Sequence, residues 1–312
     1  MKIAVVGTGI IGIEHLKAIK LSKTLELSAV CDINEEKGRA IADEYGVPFF
    51  KDYKDIPANT DSEAVIINLP HALHCESTVF FLESGLHVLL EKPMANTTEE
   101  CELMKKAERE SGKRLAIGHV QRFIGANRTV KEYIKSGKIG RLFAVTELRS
   151  IDYFAPSRPA WFINKKLAGG GIIMNYGAHA LDKLAYMTDG QVEQISGFCG
   201  NLLENMEVEG HAQFVVKMSG GVTATVTFSG YGGVGYENVY IGTKGAIKVN
   251  KSHISVCEGG VWQSLTQDKD GTYMLRQLDE FVKFVNGEEN EMPDSEYGSA
   301  IIAAIEELYS KN

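Results

Sequence analysis

The chain opens Lys2-Ile3-Ala4-Val5-Val6-Gly7-Thr8-Gly9-Ile10-Ile11-Gly12, and this run limits the possible folds more than any other stretch. A short apolar segment rich in β-branched residues suits a strand buried on both faces. Helical rhythm follows over Glu14 to Ser22, with Ile13, Leu16 and Ile19, so the glycines fall in a strand-to-helix turn. There Gly7 permits the tight turn, Gly9 lets a pyrophosphate approach the backbone, and Gly12 lets the helix pack on the strand. Thr8, Ile10 and Ile11 complete a predicted phosphate loop, whose free N–H groups and helix dipole hold the anion. Leu25 to Cys31 reads as the next strand and ends in Asp32, 20 residues beyond Gly12. At that spacing a carboxylate accepts hydrogen bonds from the adenosine ribose. Its charge repels a 2′-phosphate, so NAD is expected in preference to NADP. Asp32 could instead start a turn or cap the helix predicted over Asn34 to Tyr45. The order strand, glycines, helix, strand, acid favours the dinucleotide.

Strands and helices continue to alternate. Glu63 to Leu69 is a predicted strand, Leu69-Pro70-His71-Ala72-Leu73-His74 a loop, and Cys75 to Ser84 a helix. His87 to Leu90 is a strand that runs into Glu91-Lys92-Pro93. Thr97 and Glu100 form a capping box for a helix ending near Gly112, and Leu115 to Gly118 is one more strand. Such alternation predicts a doubly wound parallel sheet, with ligands beyond the carboxyl ends of its strands. The glycine loop, Asp32, Leu69, His74, Glu91, Lys92 and His119 all fall at such ends. Pro93 cannot continue a ladder, so Lys92 is fixed at a strand end, where its ammonium would donate to a substrate oxygen beside a nicotinamide.

With 312 residues, two domains of about 150 are expected. The predicted division is 1–120, a Rossmann domain, and 121–312, an α+β domain with a large, mostly antiparallel open sheet. Arg141 to Ile151 and Val192 to Gly200 alternate as strands do. So do Ala212 to Met218 and Val222 to Ser229, joined by the hairpin signal Ser219-Gly220-Gly221. Asn238 to Ile241, Ala246 to Asn250 and Ile254 to Glu258 continue the sheet. Met274 to Val285 and Glu296 to Ser310 are helices, placed to pack back on the first domain. An open strand surface must be covered, which predicts a homodimer or homotetramer through this sheet. Between strands lies Gly169-Gly170-Gly171, read as backbone that a ligand approaches closely. Asn175 and His179 follow, four apart and therefore on one side of a helix.

Net charge is −8 without a block of one sign, which argues against nucleic acid or an anionic membrane as partner. No apolar run approaches the roughly 20 residues of a membrane span. Glycines break the first apolar run, so it reads as a strand and not a targeting segment. Five cysteines without CxxC spacing fit free thiols in a reducing, cytoplasmic setting. His71 and His74 stand three apart and the chain shows no zinc-ligand spacing, so no metal site is expected.

Four stretches carry a resemblance to the glucose–fructose oxidoreductase/inositol dehydrogenase (Gfo/Idh/MocA) family. They are GTGIIG, Glu91-Lys92-Pro93, GHVQRF at Gly118 to Phe123, and GGGIIMNYGAHALD at Gly169 to Asp182. The resemblance implies reversible hydride transfer between a nicotinamide and a hydroxyl-bearing carbon of a sugar, cyclitol or nucleotide sugar. It matches Lys92 to the family's EKP lysine and His179 to its catalytic histidine. Many members carry aspartate where this chain has Asn175; an amide relays no proton but can orient a hydroxyl. GHVQRF is similar to members acting on nucleotide-linked amino sugars, although the IGANRT after it lacks the proline of that group. On this reading His179 is the base, Lys92 stabilises charge on the same oxygen, and Asn175 orients. Arg122, Tyr153 and Trp161 are candidate substrate walls, with core packing an equal alternative for the aromatics. Asp182 reads as structural in preference to a partner of His179. Two rival functions use the same residues differently: an NAD-dependent glycoside hydrolase working by transient oxidation, and a non-catalytic NAD-dependent sensor.

Overall fold

Strands that are apolar on both faces need cover on both faces, and the first six obtain it. β1 (Lys2–Val6), β2 (Glu26–Cys31), β3 (Phe49–Phe50), β4 (Ala64–Ile67), β5 (His87–Glu91) and β6 (Leu115–Gly118) form one sheet. All its pairings are parallel, in the order β3-β2-β1-β4-β5-β6. The structure, a computed structural model, describes residues 1–233, 235–250, 253–265 and 271–312. α1 (Ile10–Leu21), α2 (Glu35–Tyr45), the short α3 (Ile56–Asn59), α4 (His74–Glu83) and α5 (Thr98–Ser111) are the crossovers. Asn34 caps α2 by accepting from the Lys37 N–H, and Thr97 caps α5 by accepting from the Glu100 N–H. The Glu100 carboxylate reaches the N–H of Asn96, one residue before the position a capping box would give. The chain leaves β1 toward β2 and β3, then returns to place β4 on the other side of β1. That reversal is the switch point at which such sheets hold ligands.

The chain divides into two compact units, Met1–Val120 with Thr272–Ser299 and Gln121–Gly271 with Ala300–Asn312. The second contains α6 (Gly125–Lys135), α7 (Lys165–Ala168) and α8 (Ala178–Thr188). Its sheet is built from β7 (Leu142–Ser150), β8 (Val192–Gly200), β9 (His211–Met218), β10 (Thr223–Ser229), β11 (Gly235–Gly242), β12 (Gly245–Asn250), β13 (His253–Glu258) and β14 (Val261–Leu265). Their order is β14-β13-β12-β11-β7-β10-β9-β8. The sheet is antiparallel except where β7 and β10 run parallel. Alternation gives each strand one buried side, with Val145, Phe214, Val226, Phe228, Tyr240 and Ile247 in the core. Two strands escaped the sequence reading: β3, only two residues long, and β14, whose residues alternate in neither polarity nor burial.

Two helices follow. α9 (Tyr273–Asn286) packs on α1 within the first unit. α10 (Ser295–Ser310) has its first five residues counted with the first unit and the rest with the second. Among the described residues no helix is long and apolar enough to cross a membrane.

Candidate active site

In the first unit the glycine loop is shaped by three different demands. Gly7 has φ +86°, and a Cβ there would also stand 2.5 Å from the Asn68 carbonyl oxygen. At Gly12 a Cβ would lie 2.1 Å from the Gly7 oxygen, so this glycine is what lets α1 start against its own turn. Gly9 differs: a Cβ would meet nothing within 4 Å, and its φ of −62° is open to any residue. The protein's own packing does not require a glycine there, whereas close approach by a phosphate does. Gly9 is also the N-cap of α1 and supplies no side-chain acceptor, which leaves the first N–H groups for an anion. Ile10 and Ile11 stand exposed at that end. These features fit a dinucleotide.

Asn34, not Asp32, caps α2, but Asp32 does start the turn before it. Its Oδ2 accepts from the Thr8 N–H at 2.8 Å and from the Thr8 hydroxyl at 2.5 Å, and its Oδ1 accepts from the Asn34 N–H at 2.8 Å. The carboxylate thereby fixes the glycine loop to the start of α2. A carboxylate has about four acceptor sites, so capacity for ribose hydroxyls remains. Thr8 itself is fully buried; its side chain serves Asp32 and does not face a ligand.

Two further candidates turn out to be buried supports. The His74 ring has no exposure, and its Nδ1 and Nε2 lie 2.8 Å and 2.9 Å from the carbonyl oxygens of Pro93 and Leu69. It ties the loop after β4 to the Lys92-Pro93 turn. Burial pushes this imidazole's pKa down, against the pull of the two carbonyls toward the charged form. Glu91 turns inward, with Oε1 3.0 Å from Nε2 of the buried His15 on α1. A Cβ at Gly118 would stand 3.1 Å from that same oxygen, so the glycine of GHVQRF makes room for the carboxylate. Lys92, between these two anchored neighbours, stays half-buried beyond the carboxyl end of β5. His15 was not singled out in the sequence, because its partner lies 76 residues away.

In the second unit the candidate residues lie at the start of α8. Ile173–Gly177 forms a wider π-helical turn before α8 begins, so Asn175 and His179 straddle a change of pitch. Asn175 is buried and His179 partly exposed. Tyr153 is a core residue without exposure, not a wall; its phenol faces the Asn175 side chain, and burial pushes its pKa well up. Arg122, a candidate substrate wall, donates to the fully buried Asp182 at 2.6 Å. Trp161 stacks on Phe162 at 3.8 Å between centroids, and Arg158 lies over both Phe162 and Tyr153.

The glycine triplet has a different cause from the one expected. Gly169 has φ +75° and ends α7. A Cβ at Gly170 would stand 2.1 Å from the Tyr309 hydroxyl, and one at Gly171 2.1 Å from the Glu209 carbonyl oxygen. The protein itself occupies the space at Gly170 and Gly171, which accounts for both glycines without a ligand. Gly171 is the one that admits Glu209. That carboxylate accepts from the Gly171 N–H at 2.8 Å, the Ile173 N–H at 2.9 Å and the Tyr309 hydroxyl at 2.8 Å. An acid at the N-terminus of the π turn suits the exposed N–H groups there. Glu209 therefore positions the segment that carries Asn175 and His179.

Comparison with known proteins follows this division. Residues 1–119 match "Oxidoreductase family, NAD-binding Rossmann fold", and residues 127–248 match "GFO/IDH/MocA C-terminal domain". The 1-carboxy-3-chloro-3,4-dihydroxycyclohexa-1,5-diene dehydrogenase of Comamonas testosteroni is 33% identical over 74% of this chain and 58% of its own length. The D-glucoside 3-dehydrogenase of Escherichia coli is 27% identical over 99% of this chain and 94% of its own length. Among solved structures, the aldose-aldose oxidoreductase of Caulobacter crescentus shares the fold with a TM-score of 0.91 at 23% identity, covering 100% of this chain and 97% of that one.

Proposed function

This chain belongs to the Gfo/Idh/MocA oxidoreductase family, and we propose that it transfers a hydride between NAD and a hydroxyl-bearing carbon of a sugar, cyclitol or nucleotide sugar. The observation that carries this reading is the placement of Lys92. It follows directly on a strand of the sheet whose glycine loop fits a dinucleotide, and it is anchored on both sides by buried neighbours. A bound nicotinamide supplies the hydride acceptor. His179 takes the hydroxyl proton as the base. The Lys92 ammonium donates to the oxygen and stabilises its developing charge, and Asn175 orients the substrate. Formation of NADH on a panel of sugars, cyclitols and nucleotide sugars tests the reading. Sugar release without net NADH would instead favour the glycosidase mechanism.

Asp32 supports a preference for NAD, since a second negative charge beside its carboxylate costs binding. Wild-type kcat/KM is expected to be at least about tenfold higher with NAD than with NADP, and Asp32→Ser to narrow the gap. Initial rates against cofactor concentration check this, and a wild-type preference for NADP would reverse the assignment.

Self-association through the second sheet is supported by its uncovered face. The strand registers place Leu148, Val215 and Phe198 on one side, with exposures of 38%, 54% and 80%. An apolar surface of that kind favours a second copy over water. Light scattering is expected to give a dimer or tetramer, and Val215→Glu to lower the mass. A wild-type protein with the mass of one chain would remove the proposal.

A further inference from the structure

Arg149 is a charged group that the roles above leave unused. It stands on β7 opposite Tyr236 of β11, two residues beyond Glu147 and on the same side of the strand. Its guanidinium lies 4.8 Å from the centre of the Tyr176 ring and 4.9 Å from that of Tyr236. Tyr176 in turn lies 6.2 Å, ring to ring, from the imidazole of His179. Tyr176 thus borders both the guanidinium and the imidazole of His179.

The charges around it do not balance. Glu147 is buried, and its Oε2 pairs with the equally buried Lys183 at 2.9 Å. Lys183 also donates to the Tyr236 hydroxyl at 2.9 Å. The other oxygen of Glu147 stands 3.9 Å from Arg149 Nε, beyond hydrogen-bond reach. One carboxylate thus faces two cations and is bound to the nearer. Arg149 Nε is buried and, among the described residues, has no hydrogen-bond partner, although the side chain as a whole keeps 16% exposure. A largely desolvated guanidinium is costly unless a counter-charge reaches it. The two tyrosine rings flank it, and its fork of donors suits a bidentate acceptor.

We propose that Arg149 binds a carboxylate of the substrate, so that the preferred substrate is a sugar acid or another carboxylated polyol. One excess unit charge suits a monoanion better than a phosphate dianion. The proposal rests on the reading of His179 as part of a dehydrogenase site. Calorimetric titration of the NAD-saturated protein with gluconate, glucuronate and galacturonate, against glucose, myo-inositol and glucose 6-phosphate, tests it. At least one acid is expected to bind about tenfold or more tighter than its neutral counterpart. Arg149→Met should abolish that preference while neutral ligands change little, and Arg149→Lys should retain part of it. The proposal is overturned if no acid binds, if neutral ligands or the phosphate bind more tightly, or if Arg149→Met weakens acid and neutral ligands alike. NADH formation in the same samples judges the dehydrogenase reading separately. Acid binding without NADH keeps Arg149 and ends the dehydrogenase, whereas NADH from neutral sugars alone does the opposite.

Discussion

Lys92→Ala is expected to lower kcat by about 10²–10⁴-fold while the NAD dissociation constant changes by less than about threefold. The lysine would lose an interaction with an oxygen that carries more negative charge in the transition state than in the alcohol. Only such an interaction changes the chemical step. Cofactor affinity should be spared, because the loop and acid that fit the dinucleotide are held by Asn68, Thr8 and Asn34, not by Lys92. His179→Ala should lose a similar factor, as removal of a general base does. If both groups serve one proton and one oxygen, the double variant falls little below the worse single variant, in place of the product of the two losses. Single-turnover rates with a genuine substrate, alongside NAD titration by fluorescence, separate these outcomes. A fully active Lys92→Ala enzyme would end the assignment, and a multiplicative double variant would show that the two residues act independently of each other.

The parts of this protein that were readable in its sequence are those whose cause is local. The glycine loop could be placed because strand, turn, helix and acid all lie within Lys2 to Asp32. Period-two alternation found most strands of the second sheet, since each such strand buries one side. Alternation does not encode direction, so the parallel pairing of β7 with β10 was invisible. His15 needed knowledge of Glu91, and Glu209 needed knowledge of Gly171, 38 residues earlier in the chain. The π turn at Ile173–Gly177 has no periodicity of its own to announce it. Arg149 sat in a strand already read as alternating. Its meaning came only from the tyrosines that flank it and the lysine that takes its carboxylate.

The glycines show the same contrast in a form that can be measured. Gly171→Ala would drive a methyl group to 2.1 Å from the Glu209 carbonyl oxygen and 2.9 Å from the Glu209 nitrogen. Both neighbours are backbone, so no side chain can swing aside. Relief requires moving Glu209, whose carboxylate holds the N–H groups of Gly171 and Ile173. Forced overpacking with loss of those bonds is expected to cost roughly 3 kcal/mol or more. For a compact unit of roughly 160 residues, which carries Gly171, that lowers Tm by about 6–12 °C. Activity should fall with it, because the same backbone leads into Asn175 and His179. Gly9→Ala is the counterpart. Its Cβ meets nothing within 4 Å and its φ is ordinary, so the fold should lose only the small advantage of glycine over alanine at an N-cap. Tm should then stay within about 3 °C, while NAD affinity drops about tenfold or more, since the methyl would stand where a pyrophosphate must approach. Thermal unfolding and NAD titration of both variants decide the matter. A Gly171→Ala protein as stable as wild type, or a Gly9→Ala protein that binds NAD normally, would show that the cause assigned to that glycine is mistaken.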